Sequence, residues 1–547
     1  MTREFAIAIF ILLQLCCHGH SCPTRCQCFT PAKVFCSDES VKHVPANLSS
    51  DVKELTIMTT SVTNIKPGDF ESSPNLTKII FVNNFIVSVA EGAFDELTEL
   101  QELEISGNYR LHKIGVDVFS SLTKLKKLLI NFNKFSTLES GIFDELLNLE
   151  ILQVKGNLLA DLPYNLFSKL HQLRVLDLSQ NMISHVTKDF LNGLTNLESL
   201  WLNENLIATL QSDVFSNVLK LQKLFLNGNK IEVLPQDVFS KLVVLEELNL
   251  RGNLIKELAP GLLPPQLKIL NLEHNHLSEL TCGVFSHLPH LTHLHLDRNK
   301  ILTASEDVFQ NLTKLKHLSL SENQIISLPK TIFHSLENLT KLYLHKNNLT
   351  SLDVEIFQNL YNLENLRLSH NQLSTIPEAL LDAVIFLPYL SLHENPWICD
   401  CNLMYLYNWV QYNVHSVEHA NRILCESPEA LRGRGLVNLQ TAELSCAPMN
   451  NTACRAEQIA SHSPLQGQEN MAAVTEASLS ETETTTKHCT LSEANGMITI
   501  TCNVPKCPQI KIEAQIHDEN AKRIHYIFKK NWTVTSQCLN TTISITI

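Results

Sequence analysis

Histidine and glutamate residues stand at the spacing of zinc ligands in several places. The sharpest case is "HSVEH" at residues 415–419, an H-x-x-E-H string that on a helix would present two zinc ligands and a general base on one face. It comes just after a predicted helix in "NLMYLYNW", and no third ligand follows in a matching context. We therefore interpret the string as a solvated surface rather than a zinc site.

A second group of histidines stands in "HLPHLTHLHL", at His287, His290, His293 and His295. Two of them, His293 and His295, occupy outward positions of one predicted strand, with His317 on the next strand. Imidazole is a common zinc ligand, so one hypothesis is metal binding. The alternative, which we favour, is contact with a partner or plain solvation, because these are variable outward positions.

A third string, "HSLE" at residues 334–337, resembles the H-x-x-E pair of metallocarboxypeptidases but lies beside the apolar Phe333 between predicted strands. We interpret it as coincidence. The sequence shows no nucleophile with a matching base and no glycine-rich phosphate loop. It predicts a protein that is not an enzyme and has no cofactor of its own.

The elements that carry these residues follow from a repeat. "LRVLDLSQNMISHV" at residues 173–186 returns as "LQKLFLNGNKIEVL" from Leu221 and as "LEELNLRGNLIKEL" from Leu245. The pattern L-x-x-L-x-L-x-x-N ends at Asn84, Asn108, Asn133, Asn157, Asn181, Asn205, Asn229, Asn253, Asn275, Asn299, Asn323, Asn347, Asn371 and Asn395, with gaps of 24 apart from one of 25 and one of 22. An earlier unit has Thr60 in the asparagine position.

This is the leucine-rich repeat signature, and it predicts an α/β repeat fold. We expect about fifteen repeats over residues 52–394, stacked into a solenoid with a curved parallel β-sheet, the leucine-rich repeat horseshoe. Leu176 and Leu178 should point into the core, with Asp177 and Ser179 on the other face. The buried asparagine amide should satisfy backbone groups of the turn.

In each unit a return segment leads from the end of one strand back to the start of the next. A column of phenylalanines lies in the return segment of most units, and we expect it to fill the core. Its members are Phe94, Phe119, Phe143, Phe167, Phe190, Phe215, Phe239, Phe285, Phe309, Phe333 and Phe357. The short unit after Asn253, "LAPGLLPPQ", lacks it.

Both ends of such a stack need covers, because a terminal repeat exposes leucines and an unpaired strand edge. Four cysteines stand at each end, in residues 22–51 and 395–447. They resemble the cysteine-rich caps of extracellular leucine-rich repeat proteins. That resemblance implies the pairs Cys22 with Cys28, Cys26 with Cys36, Cys399 with Cys425, and Cys401 with Cys446. Spacing alone leaves three pairings open for each cap.

The first 21 residues read as a secretory signal peptide, with Arg3 followed by the apolar run "FAIAIFILLQLCC". The alternative is a membrane anchor, but the run is shorter than the roughly 20 residues that cross a bilayer, and no later stretch reaches that length.

The remaining cysteines favour an oxidising compartment as the destination of the protein. N-glycosylation sequons stand at Asn47, Asn75, Asn311, Asn338, Asn348, Asn450, Asn531 and Asn540. We predict a secreted glycoprotein of the extracellular space.

Residues 448–488 are rich in Ser, Thr, Glu and Ala and predict a flexible linker. Residues 489–547 alternate polar and apolar residues and carry four cysteines, which predicts a small disulfide-stapled β-rich module. Two cysteines, Cys282 and Cys454, have no evident local partner; they could pair with each other, pair with another chain, or stay free. The net charge of −13, without a basic stripe, argues against nucleic-acid binding.

The caps and the tail resemble one family, the regulatory, non-catalytic leucine-rich repeat subunits of carboxypeptidase N. The resemblance covers essentially the whole chain and rests on "CPTRCQCF", "FCSDE", "NLTKIIF", "LFLNGN", "KLYL", "ENPWICDCNLMYLYNW" and "NWTVTSQC". It implies a plasma glycoprotein that binds and stabilises a zinc carboxypeptidase, which removes C-terminal Lys or Arg from peptides such as kinins and anaphylatoxins. It also implies a tetramer of two catalytic and two regulatory chains, with the zinc in the catalytic partner.

Partner contacts can be proposed only from residue chemistry. Trp201 and Phe225 occupy equivalent outward positions on adjacent predicted strands, and exposed aromatics of this kind are frequent binding anchors. Tyr343, Arg367 and Tyr389 form a second candidate series. The alternative is that each ring only covers a neighbouring side chain. Two other functions also remain open: a stand-alone matrix or guidance ligand, and the ectodomain of a receptor.

Overall fold

The computed structural model describes residues 22–30, 32–46, 48–384 and 387–446, together with the backbone of five strands between residues 489 and 546. The chain divides into two compact units, Met1–Pro448 and Met449–Ile547. Outside the described residues lie the predicted signal peptide and linker, the sequons at Asn47, Asn450, Asn531 and Asn540, and Cys454, Cys507 and Cys538.

Short strands dominate the first unit. They are β1 Cys26–Thr30, β2 Lys33–Cys36, β3 Glu54–Met58, β4 Asn64–Ile65, β5 Lys78–Val82, β6 Ser88–Val89, β7 Glu102–Ser106, β8 Lys127–Leu129, β9 Ile151–Gln153, β10 Val175–Asp177, β11 Ser199–Trp201, β12 Lys223–Phe225, β13 Glu247–Asn249, β14 Ile269–Asn271, β15 Glu279–Leu280, β16 His293–His295, β17 Thr303–Ala304, β18 His317–Ser319, β19 Lys341–Tyr343, β20 Asn365–Arg367, β21 Tyr389–Ser391, β22 Trp397–Ile398, β23 Val417–Glu418 and β24 Cys425–Ser427.

Helices are few among the described residues. The α-helix α1 spans Met404–Tyr412, where the sequence predicts it. Short 3-10 helices span Val116–Phe119, Lys188–Leu191, Cys401–Leu403, Val414–Ser416, Ala420–Arg422, Glu429–Leu431, Leu436–Asn438 and Thr441–Glu443.

One 18-stranded sheet runs through the first unit. Its strands pair in parallel from β2 to β23, and only the β1–β2 pair at the start is antiparallel. Successive repeats keep the register that the sequence predicts: Leu176 pairs with Leu200, and Leu200 with Leu224. The predicted leucine-rich repeat solenoid is confirmed.

The core lies between the sheet and the return segments. Leu176 and Leu178 are fully buried, as are their equivalents in the other repeats. The predicted phenylalanine column is buried, and several of its rings stack on the ring of the next repeat; Phe285 and Phe309 have centroids 6.2 Å apart. The structure adds a member that the sequence analysis missed, since Phe70 of the degenerate first unit stacks on Phe94 at 5.8 Å.

The repeat asparagines form a hydrogen-bonded ladder. Asn181 donates from Nδ2 to the carbonyls of Leu178 and Val154, both at 3.0 Å, and its Oδ1 accepts from the N–H of Leu159 at 3.1 Å. Each side chain therefore joins its own repeat to the preceding one. Thr60 takes this position in the first unit and is held by Asn84, whose Oδ1 accepts from its N–H and its hydroxyl.

The residue before each ladder asparagine turns the chain through a left-handed conformation. Gly156 has φ +67°, and a Cβ built there would lie 2.3 Å from the Phe132 ring. Glycine relieves both the strain and the clash at this position. Elsewhere the same turn is made by larger residues, such as Glu204 at φ 54°.

Disulfide-bonded caps close both ends of the sheet, which confirms this part of the predicted fold. At the start, Cys22 bonds to Cys28 and Cys26 to Cys36. At the end, Cys399 bonds to Cys425 and Cys401 to Cys446. Trp397 is fully buried and donates from its indole N–H to the carbonyl of Leu392 at 3.2 Å, which ties this cap to the last repeat.

The second unit contains the strands β25 Cys489–Ala494, β26 Met497–Cys502, β27 Ile512–His517, β28 Arg523–Phe528 and β29 Thr541–Thr546. β26 pairs antiparallel with both β25 and β29, and β27 pairs with β28. The backbone register places Cys489 opposite Cys502. The predicted β-rich character of this module is present in its described backbone.

Candidate binding surface

The face of the sheet opposite the core carries three columns of side chains, because alternate strand residues point to opposite faces. The first column holds the first residue of each repeat strand, such as Lys223. The second column holds the third residue, such as Phe225, and the third column holds the residue two positions further on, such as Asn227. We call this surface the concave face.

The predicted aromatic pair lies on this face. Trp201 and Phe225 are register partners on β11 and β12, and their rings stack with centroids 5.4 Å apart and planes 11° apart. Both residues are half-buried. Part of each ring is therefore covered by the other, while a flat apolar surface stays open to a partner.

The second predicted series spans two columns. Tyr343 and Arg367 are register partners in the second column, and the Arg367 guanidinium lies over the Tyr343 ring, 4.9 Å from its centroid. Tyr389 pairs instead with Asn365 in the first column and is exposed. The sequence spacing predicts that all three residues lie on one face. The strand bounds in the structure are needed to show that Tyr389 belongs to a different column from Tyr343 and Arg367.

Histidines gather around Tyr343. The ring centroid of His317 lies 4.8 Å from that of His295, 5.9 Å from that of His293 and 4.9 Å from that of Tyr343. His345, which the sequence analysis did not single out, stands on the far side of Tyr343 at 6.1 Å. The signal for it was its place in the third column of a histidine-rich stretch. We call these four histidines the histidine patch.

Burial favours the neutral form of three histidines of the patch, His293, His317 and His345. It lowers the pKa of His317 to about 4, assisted by the nearby charges of His295, His293 and Lys341. The pKa values of His293 and His345 are lowered as well, first by burial and then by His295 and Arg367 respectively. Asp297 faces the patch and opposes the shift in His317 and His345, but its carboxylate already accepts from the hydroxyls of Ser319 and Ser321.

These lowered values predict an acid-induced loss of stability. The folded-state pKa of His317 lies below its unfolded value of about 6.5, so the unfolded chain binds more protons in between. Stability is therefore expected to fall as pH drops from about 6.5 towards 4. Thermal unfolding followed across this range should show the loss, and His317→Gln should flatten it. His112→Gln, an exposed control, should keep the loss; equal slopes in all three proteins would refute this origin.

The structure shows how the first and third zinc-like strings are arranged. Residues 415–419 do not form a helix: His415 lies in a 3-10 turn, Glu418 in β23, and His419 in a left-handed conformation. His334 of the third string donates from Nε2 to the carbonyl of Glu355 at 3.2 Å. Across the described part of the chain, no group of three or more His, Cys, Asp or Glu side chains is arranged to hold a metal ion.

Other predicted sites lie away from the concave face. Cys282 is exposed and has no disulfide partner among the described residues; its thiol donates to Oδ2 of Asp307 at 3.1 Å, and this contact raises its pKa. The sequon residues Asn75, Asn311, Asn338 and Asn348 are exposed. Asn338 precedes β19 and Asn348 follows it, so neither stands in a strand column. Of the helices that the structure describes, none has the length and apolar character to cross a membrane.

Parts of this chain are similar in sequence to known proteins. It is 36% identical over 163 residues to human Carboxypeptidase N subunit 2, covering 28% of this chain and 27% of that protein. It is 32% identical over 134 residues to human Reticulon-4 receptor-like 2, covering 24% of this chain and 31% of the relative. The matches thus span less than a third of either relative.

The fold and the repeats have clear counterparts. A solved structure of the Drosophila Toll–Spatzle complex superposes with a TM-score of 0.58 at 21% identity, covering 75% of this chain and 57% of that one. Residues 46–174 match the BspA type Leucine rich repeat region, and residues 147–207, 195–255, 265–325, 289–349 and 337–396 match the Leucine rich repeat family. With repeats matched from residue 46 to residue 396 apart from one short gap, the chain belongs to the leucine-rich repeat family.

Proposed function

We propose that this chain is a secreted, non-catalytic regulatory subunit that binds and stabilises a zinc carboxypeptidase of the carboxypeptidase N type. The observation that carries the proposal is the 36% identity over 163 residues to Carboxypeptidase N subunit 2, repeated at 35% over 161 residues for the mouse protein. The cap and tail motifs of the sequence point to the same family. In this proposal the partner supplies the zinc and cleaves C-terminal Lys or Arg.

The proposed role follows from the chemistry of the chain. The concave face offers side chains suited to contact, whereas burial lowers the pKa values of His293, His317 and His345, and no group of side chains in the described residues is arranged to hold a metal ion. A chain that binds only the native enzyme lowers the enzyme's unfolded population by mass action. When the chain is present at a hundred times its Kd, this stabilises the enzyme by about 2.7 kcal/mol. A glycosylated assembly of two catalytic and two regulatory chains in plasma would also be retained by its size.

Co-purification tests the proposal. The native glycoprotein, isolated from plasma with an antibody to this chain, should bring with it a zinc-dependent activity that releases C-terminal Lys or Arg. Chelation should abolish that activity without dissolving the solenoid. If the chain is isolated under conditions that keep other ligands bound, and no such activity accompanies it, the result would count against the proposal.

The aromatic pair is the proposed anchor for the catalytic chain. Replacing Trp201 and Phe225 together with Ser is expected to weaken binding to the catalytic chain at least about tenfold, because two buried aromatic contacts would be lost. Surface plasmon resonance with the catalytic chain measures this. Tyr164→Ser is the matched control, since Tyr164 is 68% exposed and lies outside the sheet. Unchanged affinity in the double variant removes the pair as the anchor.

A second candidate function has its own support. The identity to Reticulon-4 receptor-like 2 favours a receptor ectodomain, and an extracellular matrix or guidance ligand would use the same concave face. Binding of the purified chain to cell surfaces or matrix, with no carboxypeptidase activity in the native isolate, would favour this candidate over the regulatory subunit.

A further inference from the structure

Cations on the concave face follow a rule along most of the sheet. A lysine in the first column has a glutamate as its register partner on an adjacent strand, and the two side chains form an ion pair. Lys33 pairs with Glu54 at 2.8 Å, Lys78 with Glu102 at 2.9 Å, and Lys223 with Glu247 at 3.2 Å. Lys127 pairs with Glu102 on the preceding strand, at 2.8 Å. Each positive charge is thus neutralised inside the chain.

The rule breaks at β19 and β20. Lys341 is exposed, and its register partners are His317 on the preceding strand and Asn365 on the next, so neither adjacent strand offers it a glutamate. Arg367, beside Asn365 on the same strand, has Tyr343 and Ser391 as its register partners. Neither Lys341 nor Arg367 forms an ion pair with any residue that the structure describes.

Unsatisfied polar atoms cluster at the same place. Nε of Arg367, Oδ1 of Asn365, Nε2 of His317 and Nδ1 of His345 are buried and have no hydrogen-bond partner among the described residues. Buried polar groups in proteins are nearly always paired, so a run of them on adjacent strands indicates a missing group. The missing group must accept hydrogen bonds from the Arg367 side chain, which can only donate, whereas Oδ1 of Asn365 needs a donor.

The acids already on this face are engaged elsewhere. Glu322 pairs with Arg298 at 3.2 Å and with Lys346 at 3.3 Å. Asp297 accepts from two serine hydroxyls. The charges of Lys341 and Arg367 therefore remain available to another molecule.

The setting of Arg367 favours a carboxylate. Its guanidinium lies over the Tyr343 ring, so the edge formed by its two terminal nitrogens, and not the buried Nε, can face a partner. That edge matches the two oxygens of a carboxylate in a bidentate pair. Lys341, one strand away, supplies a second positive charge.

We propose that Lys341, Asn365 and Arg367 form a docking surface for an acidic segment of a protein partner, with an Asp or Glu carboxylate seated against Arg367. The segment supplies the carboxylate that the repeat pattern omits at Asn365. This surface is separate from the aromatic pair and does not depend on the identity of the partner.

The probe is a fluorescent hexaglutamate peptide, with hexaglutamine as the uncharged comparison, titrated into the full chain at low salt. Hexaglutamate should bind and hexaglutamine should not. Arg367→Gln should weaken binding at least about tenfold, and Arg367→Lys should not restore it, because ammonium lacks the bidentate fork. The matched control is Arg251→Gln, whose arginine is on the same face but already pairs with Glu273 at 3.3 Å.

A second variant supplies the missing group within the chain. Asn365→Glu recreates the Lys–Glu pattern of the other strands, and it should abolish hexaglutamate binding without lowering the thermal midpoint. Wild-type affinity in both Arg367→Gln and Asn365→Glu would overturn the proposal. Equal binding of hexaglutamine would also overturn it. A third contrary outcome is that hexaglutamate never binds, whereas a heparin oligosaccharide binds the wild-type chain and loses its binding in these variants.

Discussion

Replacing Phe309 with Ala is expected to lower the free energy of unfolding by about 3–5 kcal/mol, the range for a fully buried phenylalanine. Phe309 has no exposed surface and stacks between Phe285 and Phe333, with both centroid distances 6.2 Å. A repeat cannot collapse around the lost ring, because the strands on either side fix its spacing. Guanidinium unfolding followed by circular dichroism measures the change.

The control for this variant is Tyr164→Ala. Tyr164 also lies in a return segment, but it is 68% exposed, so its loss should change the free energy of unfolding by less than about 0.5 kcal/mol. If Phe309→Ala were as mild as this control, the phenylalanine column would not be a source of stability between repeats.

Replacing Asn229 with Leu is expected to cost about 3 kcal/mol, because it removes hydrogen bonds and leaves a buried donor without a partner. The Oδ1 of Asn229 accepts from the N–H of Ile207 at 3.0 Å, and its Nδ2 donates to the carbonyls of Leu202 and Leu226 at 2.9 Å. Asn205 and Asn253 still donate to those two carbonyls. The orphaned group is therefore the Ile207 N–H.

Leucine is chosen because it fills the site and leaves no room for a water to replace the amide. Asn227→Leu, two residues earlier and half-exposed, serves as the comparison. Thermal unfolding of both variants should separate them by several degrees. Hydrogen exchange at Ile207 gives a local check, since its protection should fall in the Asn229 variant alone; retained protection there would contradict the proposed ladder.

The sequence alone determined the repeat and its core. A 24-residue period of leucines and asparagines defines the buried positions, because only one register lets every repeat bury its apolar residues against the next. The confirmed columns of leucine and phenylalanine follow from that register. Phe70 was missed because its unit lacks the asparagine that marks the others, although its ring stacks on Phe94 like any later member.

The outward positions were less predictable. Asp177 and Ser179 lie on the face opposite the core, as predicted, but they are only 9% and 2% exposed. The Ser179 hydroxyl donates to Asp177 at 2.6 Å, so the two polar groups satisfy each other beneath their neighbours. The exposure of a side chain on this face depends on the residues one strand away, which are 24 positions distant in the chain.

The tertiary structure decided which charges are compensated. Lys223 and Lys341 occupy the same position of the repeat and look alike in the sequence. Pairing across strands gives the first a glutamate and the second an asparagine, because parallel stacking brings equivalent positions of successive repeats side by side. The period fixed where each side chain stands, and the contact between neighbouring strands determined which of them remain free to bind.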